Sequence, residues 1–308
     1  MAITIAAGMP TYSGGVIPEL WTADTLVKLY EATVITKIAS LNYQNELKKK
    51  GDVAHIRLEP TVLMKEYSVG MDMIAESDTM STVDLTIDKA YYGAQSVPFV
   101  TAQQSDLDLL NIFQDALVKA AAVKVDAIAL STIGTGAASA NEGATAGVKS
   151  VGYDLGATGA SIPITSLNAL DKLMDLVATL REQNADTDLW TVIPYWFARK
   201  LKTSDLMSAQ DMGDGTSVVR SGLIGKIDNV EIYESNNLTS VTDGTDSNTC
   251  WYAHAGHKSA LAFAQTIQEV IVEKIPLQAS TAVEIIVAFG TVVANPNYLA
   301  TLYCRPAA

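Results

Sequence analysis

Residues 105–133, SDLDLLNIFQDALVKAAAVKVDAIALSTI, carry the start signal, stop signal and apolar seam of one long helix. Ser105 followed three residues later by Asp108 has capping-box spacing, and Asp106 and Asp108 both suit the positive end of a helix dipole. Gly134 can supply the left-handed stop. Leu109, Phe113, Ala116, Ala120, Val123, Ala127 and Leu130 recur at alternating steps of four and three and predict the buried seam. Asp108, Asn111, Asp115, Lys119 and Asp126 predict the opposite, solvated face. At about 1.5 Å per residue such a helix spans roughly 40 Å, more than the diameter of a small domain. No residue along it is obviously placed for chemistry, so it reads as a beam that needs something extended to lie across.

The chain has 308 residues, enough for one large or two ordinary domains. Only 18% of them are charged, with mean hydropathy +0.18, against about 25% charged in ordinary soluble proteins. More surface than usual is therefore expected to be hidden, most simply against other subunits. No apolar run approaches the ~20 residues that cross a bilayer, and the start MAITIAAGMPTYSGG lacks a basic-then-apolar leader, so an intracellular protein without a membrane partner is expected. Cys250 and Cys304 are too few for a disulfide framework and read as small buried hydrophobes. The net charge is −13, from 34 acids against 21 bases, and Lys48-Lys49-Lys50 is the one basic run. A nucleic-acid binder needs a basic face to displace counterions, so direct binding is disfavoured while enclosure of nucleic acid stays open.

The first ~15 residues are small and polar and read as an extended arm. Pro18 then opens a helix in which Trp21, Val27, Tyr30, Val34 and Ile38 form one apolar side, suited to docking on something else. Next comes a hairpin signal. Ala54, Ile56 and Leu58 alternate with His55, Arg57 and Glu59, and Val83, Leu85 and Ile87 alternate with Asp84, Thr86 and Asp88. The stretch between them, with Lys65 and Glu66, forms the tip. Two strands alone cannot bury an apolar face, so the hairpin must rest on another sheet, helix or chain.

After the long helix, GTGAASANEGATAGVKSVGYDLGATGAS reads as a boundary and surface insertion. A helix follows with Leu167, Leu170, Met174, Val177 and Leu180 inward, then the buried strand LWTVIP and a helix started by Pro194, an α/β unit. From Asn229 onward the pattern is of strands, VEIYES, TCWYAH, SALAFA, EVIVEKI, AVEIIVAFGTVVA and YLATLYC. No repeat recurs at a fixed period.

Candidates for chemistry are weak. His254-Ala-Gly-His257 with Cys250 holds zinc-ligand types but no helical pair and no convincing fourth ligand, and a polar turn between strands explains it better. Gly134-Thr-Gly136 resembles the opening of a dinucleotide fingerprint, yet it follows a helix and opens none. Asp211-Met-Gly-Asp214 and Asp243-Gly-Thr-Asp246 lack the ligand series of a calcium loop. No catalytic residue, cofactor or metal ligand is assigned. A soluble α/β enzyme using Asp205, Asp211 and Asp214 is the alternative from another class.

The order of elements resembles the major capsid proteins of tailed bacteriophages along nearly the whole chain. Gly51-Asp52 before an alternating strand resembles the entry to that family's extended E-loop, and residues 105–133 resemble its spine helix. Trp190-Thr-Val-Ile-Pro194 with the next helix resembles the central strand and helix of the axial domain. Gly225-Lys-Ile227 with Val230-Glu-Ile232-Tyr-Glu-Ser235-Asn-Asn-Leu238 resembles a recurrent strand and turn, and Phe289-Gly290-Thr-Val292-Val293 with Pro296 resembles the closing strand.

The resemblance implies an α+β fold of the phage Hong Kong 97 type. Its parts would be an N-terminal arm with helix (1–45), an E-loop hairpin (46–100), a peripheral domain with spine helix and insertion (101–160), an α/β axial domain (161–260) and β-rich return strands (261–308). It implies a virion shell of pentamers and hexamers that encloses double-stranded DNA, assembled in the host cytoplasm with a separate scaffolding protein, a portal and possible decoration proteins. A cellular nanocompartment of the encapsulin type is the alternative within the fold. Expected assembly contacts are Trp21, Val27, Tyr30, His55, Arg57, Glu59, Lys65, Glu66, Asp84 and Asp88. Some relatives cross-link a tip lysine to an asparagine; Lys65, Asn295 and Asn297 are the corresponding residue types here, but nothing aligns them.

Overall fold

A computed structural model describes residues 34–43, 53–60, 62, 64–72, 80–100, 109–147, 152–204, 226–244, 248–275 and 278–307. The helix expected from Pro18 enters this range only at its end, α1 (Ile35–Ile38); Trp21, Val27 and Tyr30 lie outside the described residues.

The hairpin strands β1 (Val53–Arg57) and β2 (Thr82–Thr86) pair antiparallel, Val53 opposite Thr86 and Arg57 opposite Thr82. Alternation decides the faces. Ala54, Ile56 and Leu85 are buried and pack with Ala262, Ala264 and Ala294, so the base of the hairpin rests on its own chain. β3 (Lys89–Pro98) lies within the span expected to belong to the hairpin, yet it pairs with β11 (Ser280–Val293). Most of its side chains are exposed or half-buried, which is why no apolar alternation announced it.

β10 (Leu261–Ile275), β11 and β3 form a three-stranded antiparallel sheet in the order β10-β11-β3. The two short strands read as SALAFA and EVIVEKI are one strand, β10, with an irregularity between Gln265 and Ile267 that resets the register. Across this sheet lies the long helix α2 (Leu109–Gly136). Its core joins Val118, Ala122, Val125, Ala129 and Ile133 to Val283, Ile285, Val287 and Phe289 of β11, with Ile35 and Ile38 of α1 closing one side.

The second layer is a seven-stranded mixed sheet. It is built from β4 (Ile162–Ile164), β5 (Leu189–Ile193), β6 (Lys226–Ile227), β7 (Val230–Glu234), β8 (Ser240–Thr242), β9 (Thr249–His257) and β12 (Leu299–Pro306). The order is β4-β12-β9-β5-β7-β6, with β8 on β9. β5 is buried at every position and runs parallel to β7, the crossover that the sequence LWTVIP followed by a helix implied. The helices α3 (Ala169–Glu182) and α4 (Tyr195–Lys202) pack on this sheet through Leu173, Leu176, Leu180, Phe197 and Leu201. Leu167, expected inside, is 78% exposed because the α3 core begins at Ala169. β9 turns directly into β10, and β11 returns into β12, so the two sheets share continuous chain.

Two expectations about the end of α2 change. The helix runs past Gly134 to Gly136, and neither glycine has positive φ. Both serve close approach instead: a β-carbon at Gly136 would overlap Val293, and one at Gly134 would lie 3.3 Å from Cε1 of His254. The glycine-rich stretch that follows is more than surface. Asn141 is buried and donates to the carbonyls of Asn297 at 2.6 Å and Leu299 at 2.9 Å, and Ala146 and Leu155 enter the core of the large sheet.

Candidate assembly surfaces

The hairpin presents the first surface. His55 and Arg57 point away from the core; opposite His55, Asp84 holds the ring, Nδ1 to Oδ1 2.5 Å. Their side chains are 67% and 53% exposed, so solvent screening limits the pair to at most about 1 kcal/mol. Glu59, Lys65, Glu66 and Asp88 are exposed too. Around the charges the tip is apolar: Val62, Met64, Tyr67, Val69, Met71 and Met80 are exposed, Met64 by 96% and Val69 by 99%. At its base the hairpin passes so close to β11 that a β-carbon at Gly290 would overlap the carbonyl of Thr86.

The helix α2 presents the second surface and corrects the expected seam. Of the seven residues assigned to it, Leu130 is buried, Phe113 and Ala127 are half-buried, and Ala116, Ala120 and Val123 are exposed. Leu109 belongs to the helix, with its side chain outside the described residues. The buried face is Leu110, Gln114, Val118, Ala122, Val125, Ala129 and Ile133. Alanines and valines surround this helix, so apolar spacing alone fixes its phase poorly. The phase is set by a residue the pattern placed outside, Asp126, which is 1% exposed.

Asp126 is a junction of three pieces of chain. Its Oδ1 accepts the backbone N–H groups of Val34 and Ile35, both at 3.1 Å, at the start of α1. Its Oδ2 accepts Asn237 Nδ2 at 2.9 Å and Ser235 Oγ at 3.3 Å, from the turn after β7. Four donors answer the cost of burying the carboxylate. The sequence signal was present but ambiguous: a lone acid among Val125, Ala127, Ile128 and Ala129.

Other candidates resolve as structure. His257 Nδ1 lies 2.6 Å from Ser259 Oγ in the turn before β10. Cys250 and Cys304 are buried free thiols, and burial pushes the Cys304 thiol well above its usual range. Among the described residues no three His, Cys, Asp or Glu side chains converge as a metal site. Asp243 is buried and accepts Gly159 N at 2.7 Å and Tyr303 Oη at 3.1 Å, which ties the insertion to the sheet. Asn295 caps the turn at Pro296–Tyr298, accepting Asn297 N. Asp205, Asp211, Asp214 and Asp246 lie outside the described residues. No helix among the described residues is long and apolar enough to cross a membrane.

A helix laid across a three-stranded sheet, a hairpin packed at its base on the same chain and an α/β layer make up the subunit. The profile of the phage capsid protein family matches residues 85–302, and the chain belongs to that family. It is a structural protein of the viral capsid. A solved structure from Mycobacterium phage Che8 is similar at 24% identity and TM-score 0.68, covering 88% of this chain and 90% of that one. The capsid of the cyanophage P-SCSP1u is similar at 14% identity and TM-score 0.63, covering 99% and 93%. So is the capsid of an empty GTA particle, at 14% identity and TM-score 0.62, covering 100% and 96%. No curated protein sequence matches the chain.

Proposed function

We propose that this chain assembles as pentamers and hexamers of a closed icosahedral shell around double-stranded DNA, each hairpin lying over a neighbouring subunit. The observation that carries this reading is the hairpin tip, where Val62, Met64, Tyr67, Val69 and Met71 are all exposed within the subunit. A row of exposed large hydrophobics marks a contact surface, and a second copy of the chain offers a cover that repeats around a ring. In this reading His55, Arg57, Glu59, Lys65, Glu66, Asp84 and Asp88 line the rim of that contact, and Trp21, Val27 and Tyr30 dock the arm on a neighbour. A separate scaffolding protein and a portal complete assembly in the host cytoplasm, and decoration proteins attach afterwards. The acidic chain encloses DNA without gripping its sequence.

The test is the double variant Arg57→Ala/Glu59→Ala, compared with wild type by electron microscopy and sedimentation with scaffold supplied. Subunits that fold normally but fail to close into particles are expected. Wild-type protein that stays monomeric under the same conditions overturns the reading.

A further inference from the structure

His254 stands on β9 where the end of α2 crosses the large sheet, between Thr301 of β12 and Val192 of β5. Its side chain is fully buried. Nδ1 lies 3.3 Å from Thr301 Oγ1, and Nε2 has no hydrogen-bond partner among the described residues. The ring fills the space left by Gly134, so the helix end and the imidazole are in direct contact. Beside this contact opens a cavity of about 500 Å³, walled by Ser131 and Thr135 of α2, Glu142 of the insertion, and Tyr252, Thr301 and Tyr303 of the sheet. Its lining is mostly apolar but carries the hydroxyls of Ser131, Thr135 and Thr301 and the Glu142 carboxylate, so a cavity of that size admits water, which gives a proton a route to the ring.

We propose that His254 is a proton-driven latch: protonated, it leaves its slot against Gly134 for the cavity and Glu142, and the end of the spine helix loosens from the large sheet. The neutral ring suits the slot, since one nitrogen meets Thr301 and the other, without a partner among the described residues, need carry no proton. The imidazolium carries two N–H donors and a charge, and the slot answers only one of them. Turning into the cavity supplies hydroxyl acceptors and a carboxylate. The titratable groups on this side are Glu142 from the insertion, Tyr252 on the same strand and Tyr303 on β12; α2 and β5 contribute none there. Tyr303 donates to Asp243, and burial pushes its phenol further above its already high ordinary range, so it does not titrate in acid. Glu142 is therefore the carboxylate that lines the cavity with His254.

The sign follows from burial, which pulls the His254 pKa from 6.5 down to about 4. The closed state binds the proton less readily than the open or unfolded chain, so its advantage is complete above about pH 6.5 and falls as pH drops toward 4. The latch is shut at neutral pH and yields in mild acid.

The test is hydrogen exchange on the full chain, corrected for intrinsic rates, across that pH window. Exchange at residues 131–136 and 253–256 is expected to rise about tenfold or more on acidification, with α3 unchanged, and to become pH-independent in His254→Gln. Glu142→Gln, a change on an exposed residue, is expected to move the midpoint to lower pH. If His254→Gln does not fold, the Glu142→Gln midpoint decides alone. An acid response that persists in His254→Gln, an unmoved midpoint in Glu142→Gln, or a rise shared equally by α3 overturns the proposal. Particle formation at neutral pH is a separate readout, so failure of the latch leaves the shell reading untouched.

Discussion

The side-chain amide of Asn237 donates to the Asp126 carboxylate at 2.9 Å across 111 residues of sequence. The same carboxylate caps α1 through Val34 and Ile35, so one acid fixes where the arm leaves the body and how the turn after β7 meets the spine helix. Asp126→Asn keeps one acceptor and turns an NH2 group toward the donors of Asn237 and Ser235. A loss of about 1–3 kcal/mol is expected, and more for Asp126→Ala, which strands all four donors. Thermal unfolding and the exchange rate of the Ile35 amide measure it; an unchanged Tm with a protected Ile35 would contradict the junction.

The two faces of α2 make opposite demands on a charge. Val118 is 2% exposed and Val123 is 52% exposed. Val118→Asp is expected to unfold the subunit, because an unpaired buried charge costs several kcal/mol. Val123→Asp is expected to leave a folded, soluble subunit within about 1 kcal/mol of wild type. Circular dichroism and thermal melts separate the cases, and a folded Val118→Asp protein would show that the buried face has been misassigned.

This inversion shows what the sequence could and could not convey. Strong amplitude was legible: β5 as a continuous apolar run, the alternation of Ala54 and Ile56 against His55 and Arg57, and the long helix itself. Phase within α2 was not, because Ala116, Ala120 and Val123 look as apolar as Ala122, Val125 and Ala129. The deciding group, Asp126, is buried by partners some 90 to 110 residues away, and no local pattern reports them. β3 was silent for the converse reason: Tyr92 is 84% exposed, and this strand is held by ladder bonds to β11 more than by burial. For the candidate surfaces, the sequence marked the charged positions of the hairpin, while the apolar tip had no period and emerged only from exposure.

Gly290 is expected to be intolerant of any side chain. The clash of a new β-carbon is with backbone, the Thr86 carbonyl, which cannot rotate aside. Gly290→Ala should lift the hairpin base off β11 at a cost of about 1–3 kcal/mol, as overpacking does elsewhere. Limited proteolysis should then cut faster between Arg57 and Thr82, whereas cleavage in α3 should not change. Equal cleavage rates in wild type and variant would mean that the crossing tolerates a methyl group.

The methionines of the hairpin tip report on assembly directly. Met64, Met71 and Met80 are 96%, 57% and 53% exposed in the subunit, while Met174 of α3 is half-buried and serves as an internal control. Each methionine buried in a contact contributes about 1.5–3 kcal/mol, and oxidation to the sulfoxide replaces that apolar surface with a polar one. Mild peroxide treatment of free subunits is therefore expected to modify Met64, Met71 and Met80 before Met174 and leave the Tm unchanged, yet to block particle formation. In assembled particles the same three positions should oxidise several-fold more slowly, with the Met174 rate unaltered. Tip methionines that oxidise equally fast in subunits and particles would mean that no neighbour covers the hairpin.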